Sequence, residues 1–253
     1  MKIAIGCHVM WYEIEMIEEY VESLRQLVEQ IPMEHRANIY IDFYLNVSQH
    51  FEKMESDSIL QVVKDKFTGI VTLLYSTGVK VTYDVDDKMY FIGDYRRDFN
   101  NKFAPKTDFL IWGESDCLLP KQTVQVLKSI KDYTDQNNIY RYIVTFAVRK
   151  MWDDSWKVLE HPKFTDCKFK EREDRSWVTD PSSILYTMTL EEMNEVNKES
   201  GEVDLQLINY PKFDGSGLVI SSQLVMAGAN IPLGVWACGE DTSFMTVAGK
   251  ILL

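Results

Sequence analysis

The sequence is poor in cysteine. Its four cysteines, Cys7, Cys117, Cys167 and Cys238, are far apart, and no two have Cys-x-x-Cys spacing. This scatter argues against a zinc ribbon or a disulfide framework and is typical of reduced thiols inside a core. No secretory leader is visible at the N-terminus, so we expect a cytoplasmic protein.

Long apolar runs and excess positive charge are also missing. No run approaches the roughly 20 apolar residues that a membrane-spanning helix needs, so we expect no membrane span. Lys and Arg number 27 against 39 Asp and Glu, a formal net charge of −12. Such a surface repels polyanions, so we expect no nucleic-acid partner. Any phosphate group must therefore be held locally, by a metal ion or by a few arginines.

Apolar residues are plentiful, at 45 % of the chain, and 12 % of all residues are aromatic. In the first half they form short strand patterns that alternate with amphipathic helix patterns. This alternation is typical of βαβ units and predicts an α/β fold with a mostly parallel central sheet and helices on both faces. The predicted strands cover residues 2–5, 39–45, 79–83 and 109–112, and the predicted helices cover residues 13–31, 56–67 and 94–103.

The second half has weaker patterns. A helix is predicted after Pro120, and alternation over residues 140–148 predicts one long strand. Residues 151–181 have no period, and long aperiodic stretches in compact domains are often functional. No linker is visible, so we predict a single domain over residues 1–253, with halves at 1–120 and 121–253.

Two acidic residues follow the most apolar predicted strand, which covers residues 109–112. Glu114 and Asp116 stand two positions apart, so an extended backbone directs both side chains to the same side. Their oxygens suit one hard divalent cation, and open α/β sheets bind ligands at the carboxyl ends of their strands. In the alternative interpretation, Asp116 only caps the helix that follows Pro120.

Further motifs accompany this triplet, and their order resembles glycosyltransferases of the GT-A fold, particularly family 2. They are a predicted loop at residues 6–12, a helix with Arg-Arg-x-x-Asn-Asn at residues 96–101, and Gly-Glu-Asp-Thr at residues 239–242. The likeness covers residues 2–119 by element order and residues 213–244 by motif. Residues 151–211 match nothing in the family. The chain ends soon after Asp241, so we expect either a minimal enzyme or a missing C-terminal segment.

The resemblance implies a Rossmann-like GT-A domain that uses a nucleotide-sugar donor with Mn²⁺ or Mg²⁺. Glu114 and Asp116 would hold the metal, with Ser115 between them at the donor. Glu114 departs from the family, which has Asp at that position. His161 would be a third ligand, because the family often uses a later histidine and no other follows the triplet.

The resemblance also implies residues for the rest of the donor. Arg97, or less surely Arg96, would clamp the diphosphate, with Asn101 on the same helix; a solvated helix face is the alternative. Four further residues would contact the nucleobase and ribose: His8, Tyr12, Asp42 and Asn46.

On the acceptor side, Asp241 would be the general base and Glu240 would orient the acceptor. Asp241 could alternatively cap a helix. The turn at residues 214–217 would lie beneath the acceptor, and an indole can pack on a sugar ring. The candidate indoles are Trp152, Trp156, Trp177 and Trp236.

The function implied is transfer of a hexose from a UDP-sugar, such as UDP-glucose, to a hydroxyl acceptor. A nucleotidyltransferase of related α/β fold is one alternative, although such enzymes usually carry a glycine-rich basic loop after the first strand. Residues 8–12 have no Gly, Lys or Arg. A non-catalytic carbohydrate-binding module is the other alternative.

Overall fold

A computed structural model describes residues 1–50, 52–145, 148–150, 156–159, 170–171, 185–188, 215, 217–237 and 239–252. Three predicted site residues, Trp152, His161 and Trp177, lie outside the described residues, as does the side chain of Trp156. None of the helices in these ranges is long and apolar enough to cross a membrane.

Eleven strands and seven α-helices are described. The strands are β1 (Ile3–Met10), β2 (Ile39–Asn46), β3 (Lys80–Asp86), β4 (Phe109–Glu114), β5 (Cys117–Leu118), β6 (Ile143–Thr145), β7 (Val148–Lys150), β8 (Trp156–Leu159), β9 (Lys170–Glu171), β10 (Leu185–Met188) and β11 (Leu218–Ser221). The helices are α1 (Ile17–Glu29), α2 (Met33–Arg36), α3 (Asp57–Thr72), α4 (Ile92–Phe103), α5 (Thr123–Gln136), α6 (Ser222–Met226) and α7 (Glu240–Leu252).

The central sheet has six strands in the order β3-β2-β1-β4-β11-β6. The strands β1 to β4 are parallel, and β11 runs antiparallel to both of its neighbours. A mostly parallel sheet in an α/β fold is therefore confirmed. The sheet can hold an apolar β4 at its centre because neighbouring strands and both helical layers cover it, so Phe109, Leu110 and Ile111 are fully buried.

Helices cover both faces, as predicted. One apolar cluster joins β1 and β2 to α1, α3 and α5, through residues such as Ile5, Leu24 and Phe67. The other joins the opposite face to α4, α6 and α7, through residues such as Phe99 and Phe244. The strands β1, β2, β4 and β11 alternate their side chains between these two clusters, which fixes their register.

A second, antiparallel sheet has five strands in the order β5-β7-β8-β10-β9. The prediction of one long strand over residues 140–148 is wrong, because β6 joins the central sheet while β7 joins this second one. The helix predicted after Pro120 begins at Thr123, and a short strand, β5, lies between the triplet and Pro120. The division into one domain with two halves stays a prediction.

The prediction of a loop at residues 6–12 is also wrong. β1 continues to Met10, pairing His8 with Glu114 on one side and Met10 with Asn46 on the other. Val9 lies in the core, so the strand gains apolar burial by continuing. A single 3₁₀ turn, Trp11–Glu13, then leads towards α1.

Candidate functional site

The carboxyl ends of β1 to β4 lie along one edge of the central sheet. The chain runs from β1 outward to β2 and β3, and then returns through α4 to β4 on the other side of β1. The strand order therefore reverses between β1 and β4. In open α/β sheets, ligands bind in the crevice at this reversal point. Glu13 follows β1 here, and residues 114–116 stand at the end of β4.

Arg96 on α4 lies at the centre of this region, with 2 % of its surface exposed. Its Nη1 donates to Glu240 Oε1 at 2.6 Å, and its Nη2 donates to Glu114 Oε1. The guanidinium also lies 4.8 Å from the ring centre of Trp112, a cation–π contact. Two carboxylates and an aromatic face therefore replace the water that a buried guanidinium has lost.

Two glycines, Gly215 and Gly217, complete this cluster. Gly217 N donates to Trp112 O at 2.9 Å, so Gly217 lies beside the end of β4. A Cβ on Gly215 would be 2.8 Å from Arg96 Nη1 and 3.0 Å from Asp241 Cβ. A larger residue does not fit there without movement. Asp214 and Ser216 lie outside the described residues.

Glu13 is a site residue that the sequence analysis missed. Its Oε2 accepts hydrogen bonds from Met10 N at 2.9 Å and from Ser115 Oγ at 3.3 Å, bridging the ends of β1 and β4. Burial, and then the nearby charges of Asp116 and Glu114, raise the pKa of Glu13 to about 8. Glu13 therefore holds a proton at neutral pH.

The acidic pair at the start of α7 has two environments. Glu240 is buried, and burial raises the pKa of its carboxyl while the Arg96 guanidinium opposes that rise. Asp241 is partly exposed, and its Oδ1 accepts a hydrogen bond from Thr242 N at 2.5 Å. Glu240 is thus fixed by Arg96, and Asp241 is accessible from outside.

Arg97 and Asn101 contact other partners. Arg97 Nη2 donates to Asp94 Oδ1 at 2.6 Å, and Asn101 Oδ1 accepts from Asn230 Nδ2 at 2.9 Å. Of the two adjacent arginines, Arg96 contacts Glu114 of the triplet. The clamp predicted for Arg97 stays a prediction.

His8 and Asn46, predicted near the nucleobase, are buried and bonded within the protein. His8 Nε2 lies 3.3 Å from Tyr90 O, and its ring stacks on Tyr44 with centroids 5.7 Å apart. Burial lowers the pKa of His8 to about 4, so the imidazole is neutral. Asn46 donates to Tyr90 O and accepts from Ser48 N at 2.9 Å.

Asp42 is buried as well, and its carboxylate accepts from Lys102 Nζ at 2.7 Å and from the Thr82 hydroxyl. Tyr12 is half-buried in the 3₁₀ turn, edge-on to Trp11 with ring centroids 5.6 Å apart. The roles predicted for both at the nucleobase stay predictions. Of the candidate indoles, Trp236 is exposed, and its ring centroid lies 5.4 Å from that of Phe91.

The described residues offer few ligands for the predicted metal ion. Within the described ranges, no group of three or more His, Cys, Asp or Glu side chains is arranged to hold a metal ion. The predicted protein ligands there are only two, Glu114 and Asp116, and Arg96 engages one oxygen of Glu114. Two carboxylates still suit Mg²⁺ or Mn²⁺ when substrate phosphates and water supply the remaining oxygens. The donor set therefore fits such an ion.

Comparisons with known proteins do not assign a family. No family model matches the chain, and no curated protein matches it. A solved structure of UDP-glucose pyrophosphorylase complexed with UDP-glucose is similar at a TM-score of 0.38 and 9 % identity, over 99 % of this chain and 88 % of that one. At this level the likeness does not inform the function of this chain.

The buried ion pairs of Arg96 predict a large effect on stability. Replacing Arg96 with Met should lower the free energy of unfolding by about 3–5 kcal/mol, because the buried Glu240 and the partly buried Glu114 lose their counter-charge. Arg25 provides a matched control, since it also pairs with two glutamates, Glu22 and Glu29, but is 39 % exposed. Arg25→Met should cost less than about 1 kcal/mol. Urea denaturation measures both, and equal losses would contradict the central role of Arg96.

The raised pKa of Glu13 predicts a pH-dependent stability. Above its ordinary value of 4.5, the unfolded chain has lost this proton, whereas the folded protein keeps it up to about pH 8. The folded state binds more protons in this window, so the contribution of Glu13 to stability falls as the pH rises. Glu13→Gln should remove this slope, so the variant gains stability relative to wild type between pH 5 and pH 8.

Denaturation of Glu13→Gln at several pH values tests this expectation. The exposed neighbour Glu15 gives the control, as Glu15→Gln should leave the pH dependence unchanged. A stability difference between wild type and Glu13→Gln that is constant across the window would contradict the assigned proton.

Proposed function

We propose that the protein is a metal-dependent glycosyltransferase that moves a hexose from a UDP-sugar to a hydroxyl acceptor. The observation that supports this most is the meeting of three distant parts of the chain around Arg96: the triplet at the end of β4, Gly215 and the start of α7. Arg96 and Glu240 are 144 positions apart in the chain. The segments that would bind the donor and the acceptor are therefore neighbours around Arg96, which supports a transfer reaction between two bound substrates.

On the donor side, Asp116 and Glu114 would hold Mn²⁺ or Mg²⁺, with His161 as a further ligand. When bound, such an ion supplies positive charge to the diphosphate. Ser115, whose hydroxyl bonds to Glu13, keeps the triplet turn against the end of β1. Arg97 has one terminal nitrogen, Nη1, without a hydrogen bond, and would direct it to the diphosphate.

On the acceptor side, Asp241 would act as the general base. As the acceptor oxygen bonds to the anomeric carbon, its proton passes to the Asp241 carboxylate. The bond between that carbon and the β-phosphate oxygen breaks, and the nucleoside diphosphate leaves with the bonding electrons. Glu240 is a poorer base, because Arg96 holds its carboxylate; it would fix the start of α7 and so orient Asp241.

A nucleotidyltransferase is supported less well. Such an enzyme needs backbone amides and basic side chains around a triphosphate after the first strand. Here β1 leads directly into a 3₁₀ turn, Trp11–Glu13, that contains an acidic residue and no glycine or basic residue. The cytoplasmic location expected from the cysteine pattern remains part of the proposal.

The metal site gives the first functional prediction. Asp116→Ala should abolish the Mn²⁺-dependent binding of UDP, because the remaining carboxylate, Glu114, already accepts a hydrogen bond from Arg96. Calorimetric titration of UDP with and without Mn²⁺ measures this, with thermal unfolding as the check of the fold. Asp132→Ala, which removes an exposed carboxylate on α5, is the control. Metal-dependent binding that persists in Asp116→Ala would exclude this site.

The proposed general base, Asp241, gives the second functional prediction. Asp241→Asn keeps the size of the side chain but cannot accept the proton, so turnover should fall by about 10²–10⁴-fold. Donor affinity should stay unchanged, because Asp241 is not a donor ligand. Product formation and UDP titration measure the two effects separately. Transfer at the wild-type rate would show that the base lies elsewhere or that the reaction retains configuration.

A further inference from the structure

A cavity of about 530 Å³ lies at the carboxyl ends of β2 and β3, beside α3. Val47 and Val85 line it from the strand ends, and Leu60 lines it from α3. Its size is in the range of small-molecule sites. None of the residues predicted at the nucleobase lines this cavity, although it begins directly after Asn46.

Ser48 has a buried hydroxyl at the wall of this cavity. It lines the cavity and is 3 % exposed, and its hydroxyl has no hydrogen-bond partner in the described structure. Buried hydroxyls in proteins are nearly always bonded, so an orphaned one at a cavity wall indicates a partner that comes from outside. The Ser48 backbone is held by Asn46 Oδ1 at 2.9 Å, so the residue is fixed in place.

The charged groups at the cavity have both signs. Lys64 on α3 lines it and forms no ion pair with a described residue, and the exposed carboxylate of Asp87 lines it from the end of β3. Ser48 and Lys64 can donate hydrogen bonds, while Asp87 can only accept them. With apolar walls from Val47, Leu60 and Val85, these groups suit a flat ligand with donors and acceptors around its edge.

The cavity also lies at a suitable distance from the triplet. Neighbouring strands are about 4.8 Å apart, so the gap between β2 and β3 is roughly 12 Å from β4 along the same edge. An extended nucleoside diphosphate covers a comparable distance from its base to its terminal phosphate. A diphosphate at the end of β4 would therefore bring its base to this cavity.

We propose that the cavity binds the heteroaromatic base of the nucleotide donor, with Ser48 and Lys64 donating to its carbonyl groups and Asp87 accepting from its ring N–H. This inference rests on the proposed function and moves the base away from His8, Asp42 and Asn46, whose polar atoms have protein partners. Asn46 instead positions Ser48. A pyrimidine such as uracil, which carries carbonyl groups beside an N–H, fits this set of donors and acceptors.

Two variants test the proposal by calorimetric titration with UDP, with CDP, ADP and GDP for comparison. Leu60→Trp should fill the cavity and weaken UDP binding at least about tenfold, whereas Val62→Trp, at a 65 % exposed position of the same helix, should not change it. Ser48→Ala should weaken UDP binding roughly fivefold without lowering Tm, because the hydroxyl has no protein partner to lose.

The outcomes separate this inference from the proposed function. If UDP binds wild type, Leu60→Trp and Ser48→Ala equally, the base lies elsewhere, while transfer from UDP-sugars would still support the glycosyltransferase. If both variants weaken UDP binding but no nucleotide sugar is turned over, the result supports the base-binding cavity and contradicts the proposed glycosyltransferase activity. Equal affinities for all four nucleotides, or no nucleotide binding by wild type, would overturn the cavity assignment.

Discussion

The burial of one guanidinium constrains this structure more than any other single interaction. Arg96 is 2 % exposed, so its charge has to be balanced inside the protein. Glu114 and Glu240 provide that balance, and they come from the end of a central strand and the start of the last described helix. The ion pairs therefore join parts of the chain that the sheet alone does not connect.

The same constraint shapes the chemistry that the site can perform. Arg96 pairs with Glu114 and Glu240, whereas the partly exposed Asp116 and Asp241 form no ion pair with it. Asp116 follows β4, and Asp241 lies in the first turn of α7. The carboxyl of Glu13 stays protonated because of its burial and the nearby charges of Asp116 and Glu114. It can therefore accept the hydrogen bond from Ser115 without adding a third negative charge beside these two carboxylates. We therefore propose that Asp116 binds the metal ion and that Asp241 accepts the proton.

The sequence predicts the central layers well because local periodicity determines them. The apolar run in β4 and the stripe of Ile17, Leu24 and Val28 in α1 each bury a recognisable pattern. The second sheet was not predicted, because its strands have two to four residues and depend on distant partners. The end of β1 was misjudged for a related reason, since pairing with β2 and β4 extends it beyond Gly6.

The candidate site was predicted in part. The position of Glu114 and Asp116 at a strand end follows from the apolar run before them. The contact between Arg96 and Glu114 was not predicted, although α4 contains a signal for it: Tyr95, Phe99 and Phe103 form its buried stripe, and Arg96 lies on that stripe. Glu13 has no comparable signal, because its role depends on the β1 and β4 ends being neighbours.

Anomalous diffraction from a crystal grown with Mn²⁺ and UDP would locate the metal ion that the proposed reaction needs. We expect a manganese peak at the Asp116 carboxylate, between the ends of β1 and β4, with Arg96 still paired to Glu240. Bound UDP with its manganese away from Asp116, or a nucleotide at another edge of the sheet, would contradict this expectation.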